Sequence, residues 1–199
     1  MSDPFADFTT DDIRALIAQH PLAWVCSVGD APSEAAQLPL IGEYDEDGRL
    51  LSLIGHLGRA NPLYDRLRAQ GRALLLFSGP SAYVSPEHAG LRDWAPTWIY
   101  ANLRITAEVT VDAALTDEAL DVLIGAMEHG RQAPWTRAEI AHRYHGMASA
   151  IIGFRAWVTG IAGRFKFGQD ERDAVYRTIA ERLAEPAVTP WLRRFNPDR

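Results

Sequence analysis

The stretch Ala-Ala-Gln-Leu-Pro-Leu-Ile-Gly-Glu-Tyr-Asp-Glu-Asp-Gly-Arg-Leu-Leu-Ser-Leu-Ile, residues 35–54, contains two apolar runs separated by a short polar segment. Asp45–Gly48 has the composition of a hairpin turn, so the pattern predicts antiparallel strands over 35–44 and 50–54. Pro39 lies inside the first run. Because proline donates no ladder hydrogen bond, it indicates an edge position, a bulge or a point where a ligand meets the backbone.

The rest of the chain continues this alternation of strands and short helices. Apolar runs predict further strands over 22–28, 73–77 with 82–85, 97–111 and 151–167, and helical spacing predicts helices over 10–20, 59–70, 116–127, 137–150 and 171–183. The strands are not separated by regular crossover helices, which favours an antiparallel barrel over a doubly wound sheet. We expect a mainly β protein with added helices (α+β), forming a single domain over residues 1–199 with helical additions at about 116–150 and 171–184.

Composition excludes several classes of protein. The chain has 199 residues, which suits one domain, and its net charge of −6 disfavours direct binding to DNA or to an anionic membrane. The chain has a single cysteine, Cys26, so an intrachain disulfide framework is excluded. Because Cys26 lies in an apolar run, we expect an inert buried thiol. No leader and no apolar run near the ~18 residues of a membrane span are visible, so we expect a cytoplasmic protein without membrane contact.

Motifs for nucleophilic catalysis and for nucleotide binding are absent from the sequence. It contains no Gly-x-Ser-x-Gly, no P-loop and no Gly-x-Gly-x-x-Gly after a strand. Glu139, His142 and His145 share one face of a predicted helix, but three-ligand metal sites normally draw on a second element. We therefore expect no metal and assign no catalytic residue.

The segment Gly55-His-Leu-Gly-Arg-Ala-Asn-Pro62 joins a predicted strand to a predicted helix. Amides at the start of a helix point toward an anion, and Arg59 adds a fork of donors suited to phosphate. His56 and Asn61 add further polar groups. The alternative is a tight turn with an N-terminal cap.

The segment Gly163-Arg-Phe-Lys-Phe-Gly-Gln-Asp170 places Arg164 and Lys166 on one face of a strand end. Like charges side by side need a partner, and a phosphate is one such partner. The alternative is a solvated edge that charges protect. Of the 20 cationic residues, 19 are arginine and Lys166 is the only lysine, which favours the functional interpretation.

The segment Pro96-Thr-Trp-Ile-Tyr100 carries two aromatic residues on a predicted strand. Aromatic side chains at such positions are usually part of the core. The alternative is a wall for a planar ligand, to which Trp98 would contribute.

The order and spacing of these segments, with Phe77–Pro86 and Ile152-Gly153-Phe154 between them, resemble the PaiB family of FMN-binding negative transcriptional regulators over nearly the whole chain. The resemblance implies an antiparallel split β-barrel that binds FMN at a homodimer interface. It implies that Gln37, Leu38, Pro39 and Leu40 lie along the flavin ring and that His56, Arg59 and Asn61 lie near the phosphate. It further implies that Trp98, Arg164, Lys166 and Gln169 complete the pocket, some of them from the second subunit.

The chain departs from the family pattern at four positions, which are Ile99, Arg164, Gly168 and Asp170, where relatives commonly carry Asn, Lys, Ser and Asn. Two functions fit the resemblance. One is a flavin-dependent redox or flavin-sensing protein, in which His56 is the best candidate for a proton donor because its ordinary pKa lies near neutrality. The alternative is a non-catalytic negative regulator that acts through DNA or a partner protein. The expected homodimer interface is the aromatic strand around Trp98 and Tyr100.

Overall fold

The structure, a computed structural model, describes residues 3–30 and 32–199, and these ranges contain six strands and seven helices. The strands are β1 (Leu22–Ser27), β2 (Ala35–Tyr44), β3 (Leu50–Gly58), β4 (Arg72–Val84), β5 (Thr97–Asp112) and β6 (Ile151–Lys166). The helices are α1 (Thr10–Gln19), α2 (Pro62–Gln70), α3 (Pro86–Ala89), α4 (Leu115–Glu128), α5 (Ala141–Ala148), α6 (Asp173–Arg182) and α7 (Thr189–Arg194), and a 3-10 turn (Arg137–Ile140) precedes α5.

The strands form a closed barrel in the order β1-β2-β3-β6-β5-β4, which confirms the predicted antiparallel barrel. β1 closes it by pairing with both β2 and β4, so that Trp24 lies between Gln37 and Leu76. Closure removes open edges. Pro39 therefore lies at no edge; it is the last residue of β2 that pairs with β1, and Leu40 is the first that pairs with β3.

Several predicted boundaries were wrong for reasons that depend on tertiary pairing. β3 does not stop at Gly55 but continues to Gly58, because these residues pair with β6 as far as Ile151. β4 is one strand rather than two. Beyond the last predicted helix, which ends at 183, the chain forms α7, whose Trp191 is buried.

The register divides β2, β3 and β6 into two faces, because directly paired residues project to the same side of a sheet. One side holds buried apolar residues, which include Leu38, Leu40, Leu53, Leu57, Phe154 and Ala156. The other side, here called the outer face, carries Gln37, Pro39, Ile41 and Glu43 on β2, Ser52, Ile54 and His56 on β3, and Gly153, Arg155 and Trp157 on β6. Helix α4 packs against β2 and β3.

The chain divides into two compact units. The first consists of Met1–Thr9, Ser78–Leu103 and Ala162–Arg199, and the second consists of Thr10–Phe77 and Arg104–Ile161. In the first unit Phe165 and Phe167 stack with Trp191 and Phe195 to form an aromatic core. Over the described residues, the structure has no helix with the length and apolarity needed to cross a bilayer.

Candidate functional site

A row of residues crosses four strands of the second unit on its outer face. Leu22 pairs with Pro39, and His56 pairs with Gly153. Extension of the β2–β3 register by one residue beyond the Leu40–Gly55 pair places Pro39 across from His56. The sequence-predicted residues Pro39 and His56 are therefore neighbours although 17 positions separate them in the chain.

The exposed end of this row is apolar. Leu22 is 54% exposed and Trp24 is 46% exposed, and Trp24 pairs with Gln37. Gln37 is itself exposed. Isolated exposed apolar side chains are ordinary, but a tryptophan and a leucine side by side form a patch that can cover a flat ligand.

Leu38 and Leu40 do not present their side chains to this face. They are 8% and 0% exposed and lie in the barrel core. The expected run of four flavin contacts is therefore reduced to two side chains, Gln37 and Pro39, while Leu38 and Leu40 can contribute only backbone groups. The alternation of side chains along a strand is the physical cause.

His56 carries an unsatisfied polar atom. Its side chain is half-buried, and its Nδ1 is buried with no hydrogen-bond partner among the described residues. Burial lowers the pKa of His56 from its ordinary value, so the imidazole is neutral at neutral pH. Since buried polar atoms in folded proteins are nearly always paired, this atom points to a missing partner.

The turn that carries Arg59 and Asn61 differs from the prediction. Helix α2 begins at Pro62 and not at Arg59, and Asn61 caps it by accepting a hydrogen bond from the Leu63 amide at 3.0 Å. The amides of Arg59 and Tyr64 donate to Ala150 and Asn61 carbonyls. The expected cradle of free helix-start amides is therefore largely occupied by the protein itself.

Arg59 keeps part of its donor fork. The side chain is exposed, and its Nε donates to the Ser149 carbonyl at 3.1 Å. The Nη groups have no hydrogen-bond partner in residues 3–30 and 32–199. This anchored guanidinium can still bind an anion, since a fixed planar fork suits phosphate.

In the first unit, the two cations of β6 already have partners from the chain itself. Arg164 pairs with Asp3 and lies 4.7 Å from the Phe5 ring centre. Lys166 donates to the Thr97 hydroxyl at 2.6 Å and lies 5.7 Å from the same ring. Asp3 thus supplies a counter-ion for Arg164, where the sequence left a phosphate partner and a solvated edge as alternatives, whereas Lys166 has no carboxylate partner among the described residues.

Gln169 and Trp98 behave differently from each other. The Gln169 amide accepts from the Phe167 amide at 2.7 Å and donates to the Phe165 carbonyl at 2.6 Å, so it closes the turn after β6. Trp98 is 55% exposed and packs edge-on against Tyr83 at 5.7 Å. Trp98 is therefore available to a ligand or partner, while the neighbouring Ile99 is buried in the core.

One departure from the family pattern has a conformational reason. Gly168 has a φ of 81°, in the left-handed region that side chains other than glycine rarely adopt. A glycine at this position is thus suited to the backbone. Asp170, another departure, is exposed.

A charged cluster on the outer face was not predicted from the sequence. Arg155 forms two hydrogen bonds with Glu43, at 2.8 and 2.9 Å, and a third with Glu118 of α4 at 2.7 Å. Burial opposes ionisation of Glu43, but hydrogen bonds from Arg155 and Ser52 outweigh it, and the net pKa is lowered. The signal available in the sequence was the polar pair Glu43 and Ser52 inside two otherwise apolar strands.

Comparison with known proteins identifies a family and a relative of this chain. Residues 1–160 match the model of the family described as "Putative FMN-binding domain". The chain is similar to "Protease synthase and sporulation protein PAI 2" of Bacillus subtilis, with 22% identity over 175 residues, covering 87% of this chain and 83% of that protein.

Solved structures show the same fold. The FAD and heme binding protein of Mycobacterium smegmatis matches with a TM-score of 0.57 and 17% identity, covering 81% of this chain and 73% of that chain. A flavocytochrome of Azotobacter vinelandii matches with a TM-score of 0.57 and 15% identity, covering 82% of this chain and 70% of that chain.

The residues of the second unit fit a flavin mononucleotide. The orphaned Nδ1 of His56 offers a hydrogen bond, the exposed Leu22 and Trp24 offer apolar contact, and the Nη groups of Arg59 offer positive charge. The charge is needed because the phosphate carries about −1.5 to −2 at neutral pH. The chain belongs to the PaiB family of FMN-binding split-barrel proteins, and FMN is its cofactor.

Proposed function

We propose that this protein is a flavin-dependent redox or flavin-sensing protein that holds FMN on the outer face of its second unit. The observation that carries the proposal is the buried, unpartnered Nδ1 of His56 on the same face as Gln37 and Pro39. An atom of this kind requires a partner, and a flavin edge or a water bound with it supplies one.

Each residue of this face has a distinct role in the proposal. FMN supplies one- or two-electron transfer when bound. His56, neutral because burial lowers its pKa, orients the ring through a hydrogen bond and can accept a proton at its acceptor nitrogen. Leu22 and Trp24 exclude water from one side of the ring, and Arg59 neutralises the phosphate.

The remaining predicted contacts, Trp98, Arg164, Lys166 and Gln169, belong to the first unit. Lys166, which has no carboxylate partner among the described residues, and the exposed Trp98 support a role in cofactor binding. Arg164 and Gln169 have less capacity to contribute, since Asp3 and the β6 backbone already satisfy them. Asn61 contacts FMN in this proposal through its side-chain NH₂, because its side-chain oxygen caps α2.

A homodimer is part of this proposal. Leu22, Trp24 and Trp98 are each about half exposed, and aromatic residues are enriched in the cores of interfaces. Pairing of two chains would remove such side chains from water. Light scattering at micromolar concentration with FMN present should give the mass of two chains, and the mass of one chain would refute the dimer.

The alternative function is a non-catalytic regulator. The Bacillus subtilis relative is named "Protease synthase and sporulation protein PAI 2", which connects that protein with sporulation and supports this alternative. The net charge of −6 is unfavourable for phosphate-backbone contacts, so regulation through a partner protein is the better form of this alternative.

A visible absorption spectrum of the freshly purified protein, before and after added FMN, tests the proposal. We expect a bound-flavin spectrum that His56→Ala weakens and that His142→Ala, an exposed histidine of α5, leaves unchanged. No spectral change with FMN would refute the proposed site. If FMN binds, turnover of a reduced nicotinamide by the FMN-loaded protein would favour the redox function. Specific retardation of the DNA upstream of the protein's own gene, in a gel shift at physiological salt, would favour the regulator.

A further inference from the structure

The first turn of helix α4 lies directly on the residue that faces His56. A Cβ atom placed on Gly153 would come within 2.4 Å of the Leu115 carbonyl carbon and 2.7 Å of the Thr116 nitrogen. These are backbone atoms, which cannot move aside as a flexible side chain can. Only a residue without a side chain permits this approach of helix to strand.

The contact is fixed by a buried hydrogen bond. The Gly153 amide donates to Thr116 Oγ1 at 3.0 Å, and Thr116 is 7% exposed. Helix α4 has no side-chain cap bond, and the Thr116 hydroxyl accepts from the neighbouring strand instead. A buried amide that lost this acceptor would be left unpaired at considerable cost.

A second hydrogen bond holds the helix two residues further along. Glu118 of α4 accepts a hydrogen bond from Arg155, which stands two residues after Gly153 on the same outer face. Helix α4 is thus bound to β6 at two adjacent outer-face positions, Gly153 and Arg155. Since Gly153 pairs with His56, the backbone of α4 lies against the strand position directly opposite His56.

We propose that Thr116 and Gly153 are positioning residues for FMN, because they seat the first turn of α4 beside His56 and so fix the orientation of its ring. The inference rests on the proposed function in one respect, namely that His56 contacts FMN. Neither Thr116 nor Gly153 needs to touch the cofactor.

The Thr116 variants leave the charged residues of this face unchanged. They are Glu43 on β2, Arg155 on β6, and Asp117 and Glu118 on α4. Strand β3 itself carries no charged residue other than the titratable His56. Replacing Thr116 by valine removes only the hydroxyl, so a change at His56 would report the seating of the helix and not an altered charge.

The test compares Thr116→Val with Thr116→Ser, which keeps the acceptor, and with Thr106→Val. Thr106 is an exposed β5 residue whose hydroxyl bonds Thr159 and the Gly160 carbonyl. The measurements are the NMR signals and titration of the His56 ring without FMN, and the FMN affinity by quenching of flavin fluorescence. We expect Thr116→Val to shift the ring signals, to move the His56 pKa back toward its ordinary value as water reaches the ring, and to weaken FMN about tenfold.

Thr116→Ser and Thr106→Val should match the wild type in both measurements. Unchanged ring signals in folded Thr116→Val would overturn the positioning role. Shifted ring signals with unchanged FMN affinity would also overturn the inference, because its premise that His56 contacts FMN would then be wrong. His56→Ala tests that premise separately. If Thr116→Val does not fold, Glu118→Ala, which removes the acceptor of the second hydrogen bond, should raise the His56 pKa as water reaches the ring, whereas loss of the carboxylate charge alone would lower it. No rise of the His56 pKa in that variant would overturn the proposal.

Discussion

Replacing Arg59 by alanine should weaken FMN binding much more than riboflavin binding. Arg59 is exposed and is anchored through Nε to the Ser149 carbonyl, so the fork that remains can meet a phosphate without much loss of side-chain freedom. Riboflavin lacks the phosphate and does not depend on this charge.

The magnitude follows from the exposure of the site. A hydrogen bond to a charged group contributes about 1.5–3 kcal/mol, and an exposed position takes the lower end of that range. A loss of about 1.5–2 kcal/mol corresponds to roughly tenfold to thirtyfold in affinity. The amides at the start of α2 already donate hydrogen bonds within the protein. The Arg59 guanidinium is therefore the main group in this turn that can bind a phosphate.

The assay is a fluorescence-quenching titration of each variant with both flavins. Arg68→Ala is the matched control, since it removes the same charge from an exposed position in the last turn of α2. It should leave both affinities near those of the wild type. Equal weakening of FMN and riboflavin by Arg59→Ala, or no weakening of either, would refute the phosphate role and leave the turn with a structural function only.

Three further predictions concern other parts of the molecule. Arg155→Met should lower the free energy of unfolding by about 2 kcal/mol in urea denaturation, because it leaves Glu43 partly buried without its partner. Burial raises the Glu43 pKa, but the hydrogen bonds from Arg155 and Ser52 outweigh it and the net pKa is lowered. The stabilisation is therefore present above the unfolded-state pKa of Glu43 and should disappear as the pH falls through its folded-state pKa. A stability difference between Arg155→Met and wild type that persists in acid would contradict this prediction. Lys166→Met should weaken FMN in the quenching titration and spare riboflavin, and equal effects on both would exclude a phosphate contact. Trp98→Ser should shift the monomer–dimer equilibrium toward monomer in analytical ultracentrifugation, and an unchanged equilibrium would remove Trp98 from the interface.

The sequence by itself predicted the features that depend on neighbouring residues. The hairpin at Asp45–Gly48 and the apolar runs on both sides of it predicted two paired strands, and the structure contains them. Likewise the spacing of motifs was sufficient to identify the family. Turn composition and strand alternation act within a few residues, so they can be recognised without knowledge of the rest of the chain.

Only the tertiary structure decided which side chains of the predicted site are available. The alternation of side chains along β2 places Leu38 and Leu40 in the core. Asp3, which lies 161 positions before Arg164 in the chain, accepts a hydrogen bond from it. The seat of α4 on Gly153 depends on the pairing of His56 with a strand that begins nearly a hundred residues later. Such contacts arise from register and packing between distant segments, and their energies depend on atoms that no local pattern brings together.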